Sequence, residues 1–260
     1  MDPLLSLQSL SVGYGGKQIV YDVSFDINAG ELCALLGQNG SGKTTLLKGI
    51  CGLLPLSGGR CISNGLDCSV LNEKERARQI SYIPQRFSKL MNVNVLDVVM
   101  MGLYPQLGLF DFPTTEDKAA ALSSLEKMEI PHLADDDFSR LSEGQKQLVI
   151  LARALTQNAP VMLMDEPDSA LDFQNKHAAL AKIRKLIRDE DKTGLVTLHD
   201  PNLALAHCDR LILLHEGRVI SEVRLCDSSM DEIRSNLSKI YDNITLIKHD
   251  GKYLVSLKMQ

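Results

Sequence analysis

No cysteine framework is present in the 260 residues. The six cysteines, at 33, 51, 61, 68, 208 and 226, form no CxxC pair and keep no regular spacing. That argues against a secreted disulfide scaffold and a zinc ribbon, and favours a reducing compartment. A basic excess is missing too: 28 Lys and Arg stand against 33 Asp and Glu, a net charge of −5. The chain therefore lacks the electrostatic footprint of a nucleic-acid binder, and no nucleic-acid partner is expected. There is no long hydrophobic run. The most membrane-like window, 90–110, contains Asn92, Asn94, Asp97, Gly102, Pro105 and Gly108, whereas a spanning helix needs ~20 mostly apolar residues. The start, Met1-Asp2-Pro3-Leu4, has no basic stretch followed by an apolar one, so no signal peptide is expected. Repeats, low-complexity tracts and a long linker are also lacking.

What is there is an ordinary globular composition, 44% hydrophobic and 23% charged. A chain this long forms one large domain or two small ones and buries about three quarters of its unfolded surface. Strands are expected over 4–12 and 18–27, parted by the turn residues Gly13-Tyr14-Gly15-Gly16. Short apolar runs at 31–36, 80–83, 161–164, 195–198 and 211–214 suit strands buried on both faces of a parallel sheet. Helical patterns lie between them at 43–53, 116–128, 144–156 and 175–188. This alternation points to an α/β core. The stretch 88–155 is helix-rich and interrupts the alternation, so it reads as a helical subdomain inserted into the core, which spans 1–87 and 156–226. Residues 227–260 form a tail with a helix over 230–240 and a hairpin (244–248, 253–257) turning at Asp250-Gly251. The run Asp135-Asp136-Asp137 reads as a solvated loop.

Three motifs carry chemistry. Gly37-Gln38-Asn39-Gly40-Ser41-Gly42-Lys43-Thr44 matches GxxxxGK[ST] and lies between an expected strand and an expected helix. The glycines let successive N–H groups converge on phosphate oxygens, Lys43 supplies a point charge, and Thr44 offers a hydroxyl to magnesium. A glycine-rich turn that merely precedes lysine would lack this strand–helix context. Second, Val161-Met162-Leu163-Met164-Asp165-Glu166 brings two carboxylates out at the C-terminal end of a buried strand, where ligands of α/β sheets bind. Asp165 would hold magnesium and Glu166 would orient the attacking water. Third, Leu141-Ser142-Glu143-Gly144-Gln145 opens a helix. Ser142 and Gln145 fit a capping box, and the same helix start can serve a phosphate; spacing alone leaves both readings open.

These motifs, with Ser169-Ala170-Leu171-Asp172 and His199, stand in the order of an ATP-binding cassette ATPase. The chain resembles the nucleotide-binding subunit of such a transporter over nearly its whole length. The resemblance implies an α/β P-loop NTPase core with a mixed sheet, an N-terminal antiparallel β subdomain and the inserted helical subdomain. It implies ATP and Mg2+ as ligands, with the loop residues 37–44 and Thr45 on the phosphates and Tyr14 stacked on adenine. Gln85 then resembles the glutamine that touches magnesium and senses the membrane partner, Asp172 the link between two nucleotide sites, and His199 the switch at the γ-phosphate. Each also has a plain alternative: Tyr14 as a turn-packing aromatic, Gln85 and His199 as strand-end polar residues, Asp172 as a helix cap. Two positions depart from the family pattern. Glu143 stands where glycine is usual and Asp168 where Ser or Thr is usual, and both bear on turnover rate.

A single cassette implies a head-to-tail pair with a second ATPase subunit, the signature of one closing on the P-loop nucleotide of the other. It also implies separate membrane-spanning permease subunits, a peripheral place for this chain on the cytoplasmic side of the cell membrane and, indirectly, an extracytoplasmic substrate-binding protein. The segment 94–102, the run 141–155 and Thr197-Leu198-His199-Asp200-Pro201-Asn202 resemble the subfamily that imports iron–siderophore, haem or cobalamin complexes. Met91, Met100 and Met101 would line a groove for a permease helix or fill the subdomain core. The competing class is a soluble cassette protein outside transport, such as an iron–sulfur cluster assembly factor. Repair ATPases with a long coiled-coil insertion fit less well, since only residues 86–140 separate Gln85 from Leu141.

Overall fold

The computed structural model describes residues 2–85, 92–108 and 110–258. Two long antiparallel strands come first, β1 (Leu5–Tyr14) and β2 (Lys17–Ile27). The turn between them uses Gly15 and Gly16, both at positive φ. β3 (Leu32–Leu36) and α1 (Lys43–Ile50) follow, then β4 (Leu56–Ser63), the short β5 (Leu66–Asp67), α2 (Glu73–Gln79) and β6 (Ile80–Ile83). β4 returns to pair with β1, and the first sheet has the order β2-β1-β4-β5, all antiparallel.

After β6 the chain runs through α3 (Val95–Met100), α4 (Thr115–Lys127) and α5 (Glu143–Gln157), with short 3-10 turns between them. It re-enters the core at β7 (Val161–Asp165), which pairs in parallel with β6. The helical stretch is thus looped out between two neighbouring strands, and no strand interrupts it among the described residues. α6 (Phe173–Asp189), β8 (Thr193–Thr197), α7 (Pro201–His207), β9 (Arg210–His215) and β10 (Arg218–Arg224) complete a six-stranded sheet of order β10-β9-β3-β8-β7-β6. Only β10 runs antiparallel to its neighbour. α8 (Met230–Leu237) and the hairpin β11 (Ile244–His249) with β12 (Lys252–Leu257) form the tail.

Period-2 geometry divides the core between the two faces of the large sheet. From β3, Cys33 and Leu35 point to the face covered by α1 and the antiparallel sheet, against Leu46, Leu47 and Ile50. Leu32, Ala34 and Leu36 point to the other face, where the inserted helices and the tail pack. β3, β7 and β8 are buried along their whole length, which is why they read as continuous apolar runs rather than alternating ones.

Some bounds differ from the sequence reading. α1 ends at Ile50 rather than 53, because Gly52 sits at φ +74° and turns the chain away. The tail helix ends at Leu237 rather than 240, and α5 runs two residues beyond the 88–155 stretch. β8 stops at Thr197, so His199 stands in the loop beyond the strand, as Gln85 stands two residues beyond β6. β4, β5, α2, α7 and β10 have no counterpart in the sequence reading.

Candidate active site

β3 ends in the glycine loop and α1 starts from it. Gly40 and Gly42 sit at φ +79° and +104°, the left-handed region closed to most side chains. A side chain at Gly37 would strike the carbonyl oxygen of Leu214 and the Ser41 hydroxyl. The loop therefore folds tightly enough for its N–H groups to converge, and three glycines are needed for it to do so. Gln38, Asn39 and Gly40 face solvent, whereas Ser41 and Lys43 are buried. Lys43 curls back over the loop, its Nζ donating to the carbonyl oxygens of Gly37 at 2.8 Å and Gln38 at 3.3 Å. Burial pushes its pKa below the ordinary lysine value, while Glu166 and Asp165 pull it back up. Thr45 lies in the first turn of α1 with its side chain buried.

Thr44 and Asp165 meet at the heart of the site. The Thr44 hydroxyl donates to Asp165 Oδ1 at 3.1 Å, Thr197 donates to the same oxygen at 2.9 Å, and Tyr82 donates to Oδ2 at 3.3 Å. Three hydroxyl groups from α1, β8 and β6 thus fix one buried carboxylate. Sequence reasoning passed over Thr197 and Tyr82. The available signal in each is a hydroxyl-bearing residue near the C-terminal end of a buried strand.

Glu166 follows with φ +49°, an unusual conformation for a residue with a β-carbon. Its N–H donates to Thr197 Oγ1 at 2.8 Å, so Thr197 holds both acidic residues. The Glu166 carboxylate lies between two partners: His199 Nε2 is 2.5 Å from Oε1, and the Gln85 amide donates to Oε2. Left-handed backbone in a residue with a β-carbon is strain that surrounding bonds must hold. Here those bonds come from β8, the loop after it and the segment after β6.

The other expected residues lie around this centre. Tyr14 is exposed at the end of β1. Ser142 caps α5: its hydroxyl accepts from the Gln145 N–H at 3.3 Å, and the Gln145 side chain accepts from the Ser142 N–H at 3.0 Å. Leu141 is buried beneath it. Glu143 is exposed and paired with Lys146 at 2.7 Å, so its charge is answered within its own helix. Gly144 packs against Leu171. Among the described residues no hydrogen bond joins this helix start to the glycine loop. Asp172 caps α6, accepting from Asn175 N–H at 2.9 Å. Asp168 is buried, 3.6 Å from Lys176 of α6. Met100 is partly buried against the core cluster and Met101 is half-buried, while Met91 lies outside the described residues.

The residues present fit a magnesium nucleotide. Among the described residues the Ser41 hydroxyl is buried without a partner, an unmet donor beside a buried cation in a loop of convergent N–H groups. A phosphate oxygen answers that donor. The Thr44 hydroxyl with the Asp165 carboxylate is the all-oxygen donor pair suited to magnesium held jointly with phosphate.

Comparison with known proteins agrees with the geometry. The family model described as "ABC transporter" matches residues 20–169. A probable iron chelatin transport ATP-binding protein of Helicobacter pylori is 36% identical over 97% of this chain and 98% of its own. The hemin import ATP-binding protein HmuV of Vibrio parahaemolyticus is 37% identical over 84% of each chain. Among solved structures, an inward-facing putative metal-chelate type ABC transporter superposes with a TM-score of 0.81 at 27% identity, covering 98% of this chain and 96% of that one. No described helix is long and apolar enough to cross a membrane. With a phosphate loop, an acidic pair and a capped signature helix arranged on this sheet, the chain belongs to the ABC transporter family, as one of its ATPase cassettes.

Proposed function

We propose that this cassette hydrolyses ATP to drive import of a metal chelate of the iron–siderophore, haem or cobalamin kind, through separate permease subunits on the cytoplasmic face of a membrane. The observation that carries the catalytic part is the setting of Glu166. Its carboxylate ends the strand that holds Asp165, and it is gripped by His199 on one side and Gln85 on the other. The import part is supported by the two transport relatives and the metal-chelate transporter above. Their names describe transport subunits, and nothing in them favours the soluble assembly-factor reading.

The mechanism follows from the side chains. Loop N–H groups, Ser41 and Lys43 bind the phosphates, and Lys43 exchanges two carbonyl partners for anionic oxygens. Thr44 and Asp165 would hold magnesium, which when bound neutralises phosphate charge; Thr197 and Tyr82 keep Asp165 in place for it. Glu166 accepts a hydrogen bond from the attacking water and takes up its proton. His199 and Gln85 set the direction of that carboxylate. Ser142 and Glu143 at the signature helix start are exposed, and among the described residues no hydrogen bond joins this start to its own loop, which supports a head-to-tail pair in which it meets the γ-phosphate of a second copy. A permease, and through it a substrate-binding protein outside the membrane, would complete the system.

Glu166→Gln separates binding from chemistry. The variant keeps ATP affinity and loses about 10²–10⁴-fold in hydrolysis rate, the range of a general base. It should then accumulate as an ATP-bound dimer on size exclusion or within a permease complex. Hydrolysis at the wild-type rate would remove Glu166 from the mechanism, and monomers under both conditions would remove the composite site.

A further inference from the structure

The tail reaches the site from behind through two consecutive residues. Gln38, in the phosphate loop, donates its side-chain amide to the carbonyl oxygen of Ile240 at 3.2 Å. The next residue, Tyr241, donates its hydroxyl to the backbone carbonyl oxygen of His199 at 3.3 Å. Both anchors are firmly seated. Ile240 is buried with Ile233, Leu237, Ile244 and Leu246 in the core cluster, and Tyr241 packs against that cluster. The hairpin also grips the helix that follows His199. Asn202 of α7 donates to the Val255 carbonyl at 3.3 Å and accepts from the Val255 N–H at 2.7 Å.

His199 needs such support. Its side chain is 48% exposed, so packing does not orient the ring, and it stands in a loop rather than in β8. Its 2.5 Å approach to Glu166 therefore depends on where the loop backbone is held. Burial, with Asp200 adding to it, pushes the Tyr241 pKa up to about 12, so the phenol remains a donor at neutral pH.

We propose that Tyr241 is a positioning residue for ATP hydrolysis: by holding the His199 carbonyl, it sets the imidazole against Glu166, while its neighbour Ile240 ties the same tail to the phosphate loop. This rests on the reading of Glu166 and His199 given above. The tail is then a working part of the catalytic unit. A misplacement of about 1 Å in a reacting constellation can cost 10²-fold, but deleting one neutral bond removes only part of the restraint.

Tyr241→Phe keeps the ring and removes the donor. In the full-length protein, steady-state hydrolysis should show kcat lowered about twofold to tenfold, the effect of one neutral hydrogen bond. The KM for ATP should remain as in the wild type, and the thermal midpoint should fall by only the few degrees that one neutral hydrogen bond accounts for. The decisive step repeats the substitution in a His199→Ala background, where it should have no further effect, since residues acting through one another are not additive. Wild-type kcat in Tyr241→Phe, or an equal loss in both backgrounds, would overturn the proposal and leave Tyr241 as a packing residue. If His199→Ala itself hydrolyses ATP normally, the assignment of His199 fails first. The separate rates of the two single variants tell these outcomes apart.

Discussion

Lys43 is a cation whose water has been replaced by the carbonyl oxygens of Gly37 and Gln38. Desolvation disfavours its charge, and the nearby Glu166 and Asp165 offset part of that effect. A triphosphate offers it stronger partners than carbonyl groups do, because charge-assisted bonds are worth about 1.5–3 kcal/mol each. Lys43→Ala should therefore weaken ATP binding by at least about 10–150-fold, the equivalent of one such bond. A nucleotide titration on the folded variant checks this, and near-normal affinity would refute the phosphate role. Much of this centre was legible because the constraint is local. Spacing in the glycine loop forces the backbone geometry, and a strand ending in two carboxylates aims them outward. Thr197 and Tyr82 were not legible as partners of Asp165, because their bonds span 32 and 83 positions and depend on strand order in the sheet.

At the scale of elements, α6 and α7 are joined by a histidine pair, His177 Nδ1 to His207 Nε2 at 2.8 Å, with Phe173 edge-on to the His177 ring. Burial lowers the pKa of His207 from 6.5 to about 4, and His177, Arg184 and Lys252 add like-charge repulsion from α6 and β12. Between these values the unfolded chain binds a proton that the folded chain refuses. Stability is thus complete above pH 6.5 and declines as pH falls toward about 4. Thermal midpoints measured down this range should drop more steeply in the wild type than in His207→Gln; equal slopes would remove His207 as the cause. The elements that escaped sequence reading did so for separate physical reasons. β4 carries Gly58 and Gly59, and a side chain at Gly59 would collide with the β1 backbone at Ser9, so close strand approach has erased the usual β-branched pattern. α2 buries no residue and shows no apolar stripe; its support is the Asn72–Glu75 capping box. α7 is seven residues long, too short for a period to repeat.

For the whole molecule, the insertion between β6 and β7 is the feature that stands next to both the sheet and the candidate site. Those strands are direct parallel neighbours, so the chain leaves the sheet at the C-terminal end of β6, beside the acidic end of β7, and rejoins it at the N-terminal end of β7. Gln85 stands at the exit and bonds the carboxylate of Glu166. If Gln85 also senses a permease, a change at either site would act on the other through this bond, since coupling is reciprocal. Met100 and Met101 are partly buried on the first inserted helix and the turn after it, with Met100 packed against the core cluster. If Gln85 carries this link, Gln85→Ala should weaken coupling more than ATP affinity. Coupling free energies of ~1–3 kcal/mol correspond to a 5–150-fold effect, large enough to read directly. The measurement is ATP hydrolysis by the reconstituted complex, with and without transported chelate. Stimulation by the chelate should collapse in Gln85→Ala while ATP still binds. Full stimulation in that variant would move the coupling away from Gln85 and into contacts made by the helices themselves.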